Sequence, residues 1–220
     1  MSHKTLVLYS GGLDSRVALA FALKSEMDVY AMAINYGQKH TKELCRANEV
    51  CEKLNVPFKV FDLPFMDELV GDNPLLTKDM DLPEDDKLPD HGKTAAVPNR
   101  NMIFLSIAIA YAINIGAKSI WYAIHDSIHP MAEDCKPPFV EAIKRISRVA
   151  NKESIEIITP FYGTYKSGIV EFGKSLGVDY SETWTCFNGR EKACGKCTAC
   201  RERLEAFKAA KLIDPLEYEE

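Results

Sequence analysis

Short apolar runs alternate along this chain with longer stretches whose apolar residues recur at helical spacing. The runs predict strands over residues 5–9, 29–34, 58–63, 119–124 and 155–160, since a few consecutive apolar positions suit a strand buried on both faces. Helical spacing covers residues 14–25, 41–54, 100–115, 138–151 and 166–176, the last stopping at Gly177. Strand followed by helix in this order predicts an α/β fold: a doubly wound, mostly parallel five-stranded sheet with crossover helices. The stretch from Arg100 is apolar almost all round (Met102, Ile103, Phe104, Leu105, Ile107), so burial on more than one side is expected, whereas the stretch from Thr41 keeps a polar face.

One segment follows neither period. Residues 64–99 contain five prolines and no repeated apolar spacing, and so long a stretch in a compact domain is either a solvated loop or a lid over a site. The chain therefore reads as an α/β domain over residues 1–180, interrupted by this insertion, followed by a cysteine-rich C-terminal segment over residues 181–220.

Composition narrows the picture. At 220 residues, 46% hydrophobic and 27% charged, the chain has the size of one globular domain with an elaboration. No run approaches the roughly twenty apolar residues that span a bilayer, and the opening MSHKTLVLYSGG reaches glycines too early for a signal peptide. A soluble, cytoplasmic protein with no membrane partner is expected. The 27 lysines and arginines against 32 acids leave a formal charge of −5, which argues against direct, sequence-independent binding to nucleic-acid phosphates. Six acids (Asp79, Asp81, Glu84, Asp85, Asp86, Asp90) and one base (Lys87) account for that excess, leaving the rest of the chain balanced.

Candidate chemistry begins at the end of the first strand, where Ser10-Gly11-Gly12-Leu13-Asp14-Ser15 leads into the first helix. Two glycines leave backbone amides and a helix N-terminus open to an anion, and Ser10 and Ser15 add hydroxyls. Asp14 suits a helix cap or a carboxylate facing phosphate-bound magnesium. The spacing is neither that of the Walker loop nor that of the dinucleotide-binding fingerprint.

The second cluster is Cys186-x7-Cys194-x2-Cys197-x2-Cys200. Four thiolates close a tetrahedral zinc site and leave no position for water, so a structural ion is expected. An iron–sulfur cluster is the competing reading, although the run lacks the Cys-Pro ending of bacterial ferredoxins. The remaining cysteines, Cys45, Cys51 and Cys135, are scattered and are expected to be reduced, with Cys135 packing rather than acting as a nucleophile.

The SGGLDS run resembles the pyrophosphate loop of the N-type ATP pyrophosphatases, whose adenine nucleotide alpha hydrolase-like fold uses ATP to adenylate a substrate oxygen. Taken with NYGQKH at 35–40 and Glu43 after it, VPNRN at 97–101, Asp134-Cys135, Lys166, and TCFNG through CGKCTAC at 185–200, the sequence is similar over nearly its whole length to the 7-cyano-7-deazaguanine synthase family. The resemblance implies conversion of 7-carboxy-7-deazaguanine and ammonia to a nitrile through an adenylate and an amide, with ATP as co-substrate and Mg2+ beside it, and a homodimer. It assigns nucleotide binding to Tyr9, Ser10, Gly11, Gly12, Leu13, Asp14, Ser15, Arg16, Val17, Ala18 and Leu19. Catalysis falls to Asp14, Ser15, Arg100 and Lys166. Substrate binding falls to Tyr36, Gln38, Arg100, Asn101, Asp134, Lys166 and Phe187, and zinc to Cys186, Cys194, Cys197 and Cys200.

This chain departs from the family's pattern at Met131, Ala132, Glu133 and Lys136, where glycine, tyrosine, proline and arginine are usual, and at Arg16, where a small hydroxyl residue is usual. Those changes leave open a variant that stops at the amide or takes another deazapurine. Two further alternatives fit less well. A tRNA-thiolating enzyme calls for a basic surface and a redox cysteine pair. A zinc-ribbon interaction module would rest on seven bases against three acids over residues 186–211, from which four thiolates on zinc subtract about two charges.

Overall fold

The computed structural model describes residues 3–77, 80, 97–127 and 132–219. The elements run β1 (Lys4–Leu8), α1 (Leu13–Lys24), β2 (Asp28–Asn35), α2 (Lys42–Lys53), β3 (Phe58–Asp62), α3 (Met66–Val70), α4 (Arg100–Ile115), β4 (Ser119–Trp121), β5 (His125–Asp126), α5 (Pro137–Ala150), β6 (Glu156–Ile158), β7 (Phe161–Tyr165), α6 (Lys166–Ser175) and α7 (Thr198–Ala209).

Five strands form the expected parallel sheet in the order β3-β2-β1-β4-β6. β1 lies at its centre, with Val7 opposite Ala31 on one side and Trp121 on the other. Its alternate residues serve different cores. Val7 packs with α1, α2, α6 and α7, while Leu6 packs with α4 and α5, as the two-residue period of a strand requires. The sheet order turns back at β1, so the neighbouring carboxyl ends of β1 and β4 form a switch point, where open α/β sheets hold their ligands.

Two expected strands are shorter than their apolar runs. The run at 119–124 yields sheet pairing only as far as Trp121, and the run at 155–160 only Glu156–Ile158. The chain then leaves the main sheet, and β5 and β7 pair with each other as a separate two-stranded parallel ribbon with a shifted register. Part of the insertion has structure as well: it contains α3, and Leu75, Leu76 and Val97 are buried in the Leu6 core. The acids of the 79–90 run lie outside the described residues. Among those described, no helix is long and apolar enough to cross a membrane.

Candidate active site

The phosphate loop is shaped by contacts that allow only its own residues. Gly11 has φ +93°, and a Cβ there would stand 2.0 Å from the Glu43 carbonyl oxygen, so neither the backbone angle nor the space admits a side chain. Gly12 caps α1 without a side-chain hydrogen bond. The Gly12 amide donates to Ser10 Oγ at 3.2 Å, and Ser15 Oγ donates to the Gly12 carbonyl at 3.0 Å. The loop opens into a cavity of about 870 Å3 at the carboxyl ends of β1, β2 and β4.

Of the residues expected to bind nucleotide, Tyr9, Ser10, Gly12, Asp14 and Ser15 line this cavity. Leu13, Val17, Ala18 and Leu19 are buried in the core beneath it and hold the helix against the sheet. The Arg16 guanidinium turns away, to Glu182 Oε2 at 3.2 Å, where Lys53 also pairs.

Asp14 sits between a lysine and a histidine. Its Oδ2 lies 3.5 Å from Lys166 Nζ and 3.7 Å from His125 Nε2, and Lys166 reaches Glu202 Oε2 at 3.0 Å. Burial opposes the charge on Lys166, but Asp14 and Glu202 outweigh it and raise its pKa. Asp14 Oδ1 is buried without a hydrogen-bond partner, which is the donor a phosphate-bound magnesium would take.

The opposite wall is built around Arg100, the first residue of α4, which follows Asn99 in left-handed conformation at φ 55°. Arg100 donates to Tyr36 Oη at 3.2 Å. Burial pushes the Glu43 carboxyl up to about 8, against the pull of Arg100. Burial, assisted by Arg100, holds His40 down to about 4. Both groups are neutral near pH 7, so the guanidinium is the charge that this corner offers to an anion.

The other expected substrate contacts line the cavity but are tied into it. Gln38 Oε1 accepts from the Tyr36 amide at 2.8 Å, so it shapes the loop after β2. The Asn101 amide donates to Asp134 Oδ2 at 3.1 Å, and its side chain donates to the Asp134 carbonyl and to Cys135 Sγ, each at 3.2 Å. Burial raises the Cys135 thiol pKa, which opposes a thiolate nucleophile. Phe187 lines the cavity against His40. Lys166 lines an adjoining smaller cavity instead.

The four expected zinc ligands converge: the buried Sγ atoms of Cys186, Cys194, Cys197 and Cys200 all lie within 4.8 Å of one another. A tetrahedral zinc with bonds of ~2.3 Å needs sulfurs ~3.8 Å apart, and Cys194 and Cys200 stand at 4.0 Å. Backbone amides of Cys194 and Cys197 donate to Cys186 Sγ and Cys194 Sγ, each at 3.3 Å, as thiolates require. The cluster therefore fits the ion, and its loop packs closely on the loop between β2 and α2: a Cβ at Gly189 would meet the Lys39 carbonyl oxygen at 2.5 Å.

Two residues that matter here, Arg203 and Glu202, were not singled out from the sequence. Arg203 is fully buried, donating to both Asp214 carboxylate oxygens at 2.8 and 2.9 Å, to Thr183 and Thr185, and to the Tyr180 carbonyl. Glu202 meets Lys166. His125 Nε2 faces Asp14 Oδ2 at 3.7 Å. His129 lies outside the described residues.

A glycine-paired loop at the switch point of a β3-β2-β1-β4-β6 parallel sheet defines a doubly wound α/β fold with its ligand site at the carboxyl ends of the strands. Solved structures agree on that fold: the chain is similar to a 4-thiouridine synthetase in complex with RNA and ATP (TM-score 0.54, 17% identity, 95% of this chain and 50% of that one). It is likewise similar to the NMN synthetase of Francisella tularensis (TM-score 0.52, 16% identity, 96% and 78%). More specifically, the chain belongs to the QueC family, described as queuosine biosynthesis protein QueC, which it matches over residues 4–211. Relatives named 7-cyano-7-deazaguanine synthase from Pseudoalteromonas translucida and a Marinomonas species are each 48% identical to it over 219 residues, covering 100% of both chains.

Proposed function

We propose that this protein is an ATP-dependent nitrile synthase that converts 7-carboxy-7-deazaguanine and ammonia to 7-cyano-7-deazaguanine. The observation that carries the reading is the cavity itself, with a phosphate-binding loop on one wall and the charged Arg100 on the other, in a chain of the QueC family. In this reading the loop amides and Ser10 hold the ATP phosphates, and Arg100 orients the substrate carboxylate toward the α-phosphate. Lys166, anchored by Glu202, neutralises Asp14 and the charge beside it. A magnesium ion held by Asp14 would supply charge neutralisation on the pyrophosphate. Tyr36 and Phe187 flank the space for the flat deazapurine.

The carboxylate is adenylated, ammonia displaces AMP to give the amide, and adenylation of the amide oxygen precedes loss of AMP to the nitrile. The four cysteines hold a structural zinc, which stabilises the segment closing the cavity. A cytoplasmic homodimer that takes small-molecule substrates and no nucleic acid completes the reading. Incubation with ATP, magnesium, an ammonium salt and the carboxy acid, followed by mass spectrometry, is expected to show amide and then nitrile. Amide accumulating alone would mark a variant that stops halfway, and no ATP-dependent mass change would remove the proposal.

A further inference from the structure

The acids that line the main cavity are committed to partners, with one exception. Asp14 and Glu202 share Lys166, Glu133 pairs with Lys136, and Asp134 accepts from the Asn101 amide. Glu43 stands in the first turn of α2, where the close approach of its backbone carbonyl to Gly11 fixes the root of the side chain. That side chain is 15% exposed and opens into the cavity. Among the described residues its carboxyl accepts no hydrogen bond; it faces the neutral ring of His40, with Nε2 at 3.5 Å. A nearly buried carboxyl left without donors is a group that a ligand can satisfy.

The substrate proposed above carries two adjacent donors, the ring N1–H and the 2-amino group, which point the same way. A carboxylate accepts both at once, whereas the amide of Gln or Asn offers one acceptor beside one donor. Gln38 and Asn101, the amides that line the cavity, are in any case bonded to its own backbone. The surroundings of Glu43 suit the rest of the molecule. Phe187 lies with its ring 5.5 Å from that of His40, and Arg100 Cζ stands 5.7 Å from the Tyr36 ring. The free carboxyl, the aromatic surfaces and the guanidinium that takes the acid group therefore share one corner.

We infer that Glu43 determines substrate specificity by accepting the N1–H and 2-amino hydrogens of the deazaguanine ring while Arg100 holds the 7-carboxylate. The inference rests on the nitrile-synthase reading and adds to it the group that selects a 2-amino-6-oxo ring. Burial keeps the empty carboxyl protonated against the pull of Arg100. Two donors from the ring reverse that balance, so the proton passes to solvent as the base enters.

The 2-desamino analogue of the acid, which keeps the carboxylate and N1–H but lacks one donor, probes the contact. With ATP and ammonium chloride saturating, the wild-type protein is expected to favour the acid over this analogue about 100-fold in kcat/KM. Glu43→Gln, almost unchanged in size, should lose about 100-fold on the acid, chiefly through KM, and prefer it to the analogue by less than about fivefold. Its ATP affinity should stay at the wild-type level, since the backbone contact with Gly11 is kept. Equal kcat/KM for acid and analogue in the wild-type protein, or a preference in Glu43→Gln as steep as in wild type, would overturn the role and leave the reaction standing. A wild-type protein that forms amide from neither compound would remove both.

Discussion

The backbone amide of Trp184 donates to the carbonyl of Gly11 at 3.0 Å. This bond joins the chain two residues before Cys186, the first of the four clustered cysteines, to the centre of the glycine loop, so the cysteine segment and that loop are mechanically one unit. Stripping the metal, or replacing Cys197 with Ser, is expected to weaken ATP binding about tenfold or more as well as to lower Tm, because the ion supplies folding energy to this segment. Metal analysis together with ATP titration of the stripped protein checks this; unchanged ATP affinity without metal would contradict it.

Gly11→Ala is expected to abolish ATP binding and to destabilise the fold by about 2–4 kcal/mol, combining a positive-φ strain with a backbone clash. The Glu43 carbonyl that it would strike belongs to α2, so the damage should reach that helix as well. Urea unfolding and ATP titration read the two effects separately, and a soluble variant that binds ATP normally would refute the loop geometry.

Lys166→Ala leaves the carboxylates of Asp14 and Glu202 facing each other with no cation between them. Its kcat/KM is expected to fall roughly 10²- to 10³-fold, the usual cost of removing one charge-stabilising donor from a closed site. Lys166→Arg should recover part of that loss. Equal rates in wild type and the alanine variant would show that the lysine is only packing.

The buried corner around Glu43 gives stability a specific dependence on pH. The folded carboxyl holds its proton to about pH 8, whereas the unfolded one releases it near 4.5, so stability falls as pH rises between those values, at up to ~1.4 kcal/mol per pH unit. His40 acts oppositely: with a folded pKa of about 4 and an unfolded value near 6.5, it costs stability as pH drops through that range. The window from 6.5 to 8 therefore isolates Glu43. Glu43→Gln should flatten the decline there in urea titrations, and an unaltered slope would speak against the assignment.

Arg203→Met removes the donors that hold Asp214, Thr183 and Thr185, and leaves a carboxylate only 5% exposed without its cation. A loss of about 3–5 kcal/mol is expected. Arg203→Met paired with Asp214→Leu should regain part of it, as a double-mutant cycle would measure.

The central sheet was legible because β1 and β2 are largely buried and leave apolar runs, while edge strand β3 still carries the half-buried Phe58, Val60 and Phe61. β5 and β7 were not: His125-Asp126 and Phe161-Tyr-Gly-Thr-Tyr165 carry polar or exposed residues and pair only with each other, so no hydrophobic alternation marks them. The glycine loop and the four cysteines could be read because their chemistry depends on local spacing. Arg203, Glu202 and His125 act through partners 11 to 111 positions away in the chain, and on one helix the run Arg201-Glu202-Arg203 looks like an ordinary solvated face. The expected roles of Gln38 and Asn101 illustrate the reverse, since both amides line the cavity while bonded to its own backbone.

The tie between Gly11 and Trp184 also orders events during synthesis. Residue 11 leaves the ribosome early and residue 184 late, so a nascent chain can build its sheet around β1, β2 and β3 while the nucleotide cavity still lacks a wall. On the proposed reading, competence for ATP arrives only with the cysteine segment, and a metal held there would make metal supply a checkpoint on maturation and not only on durability.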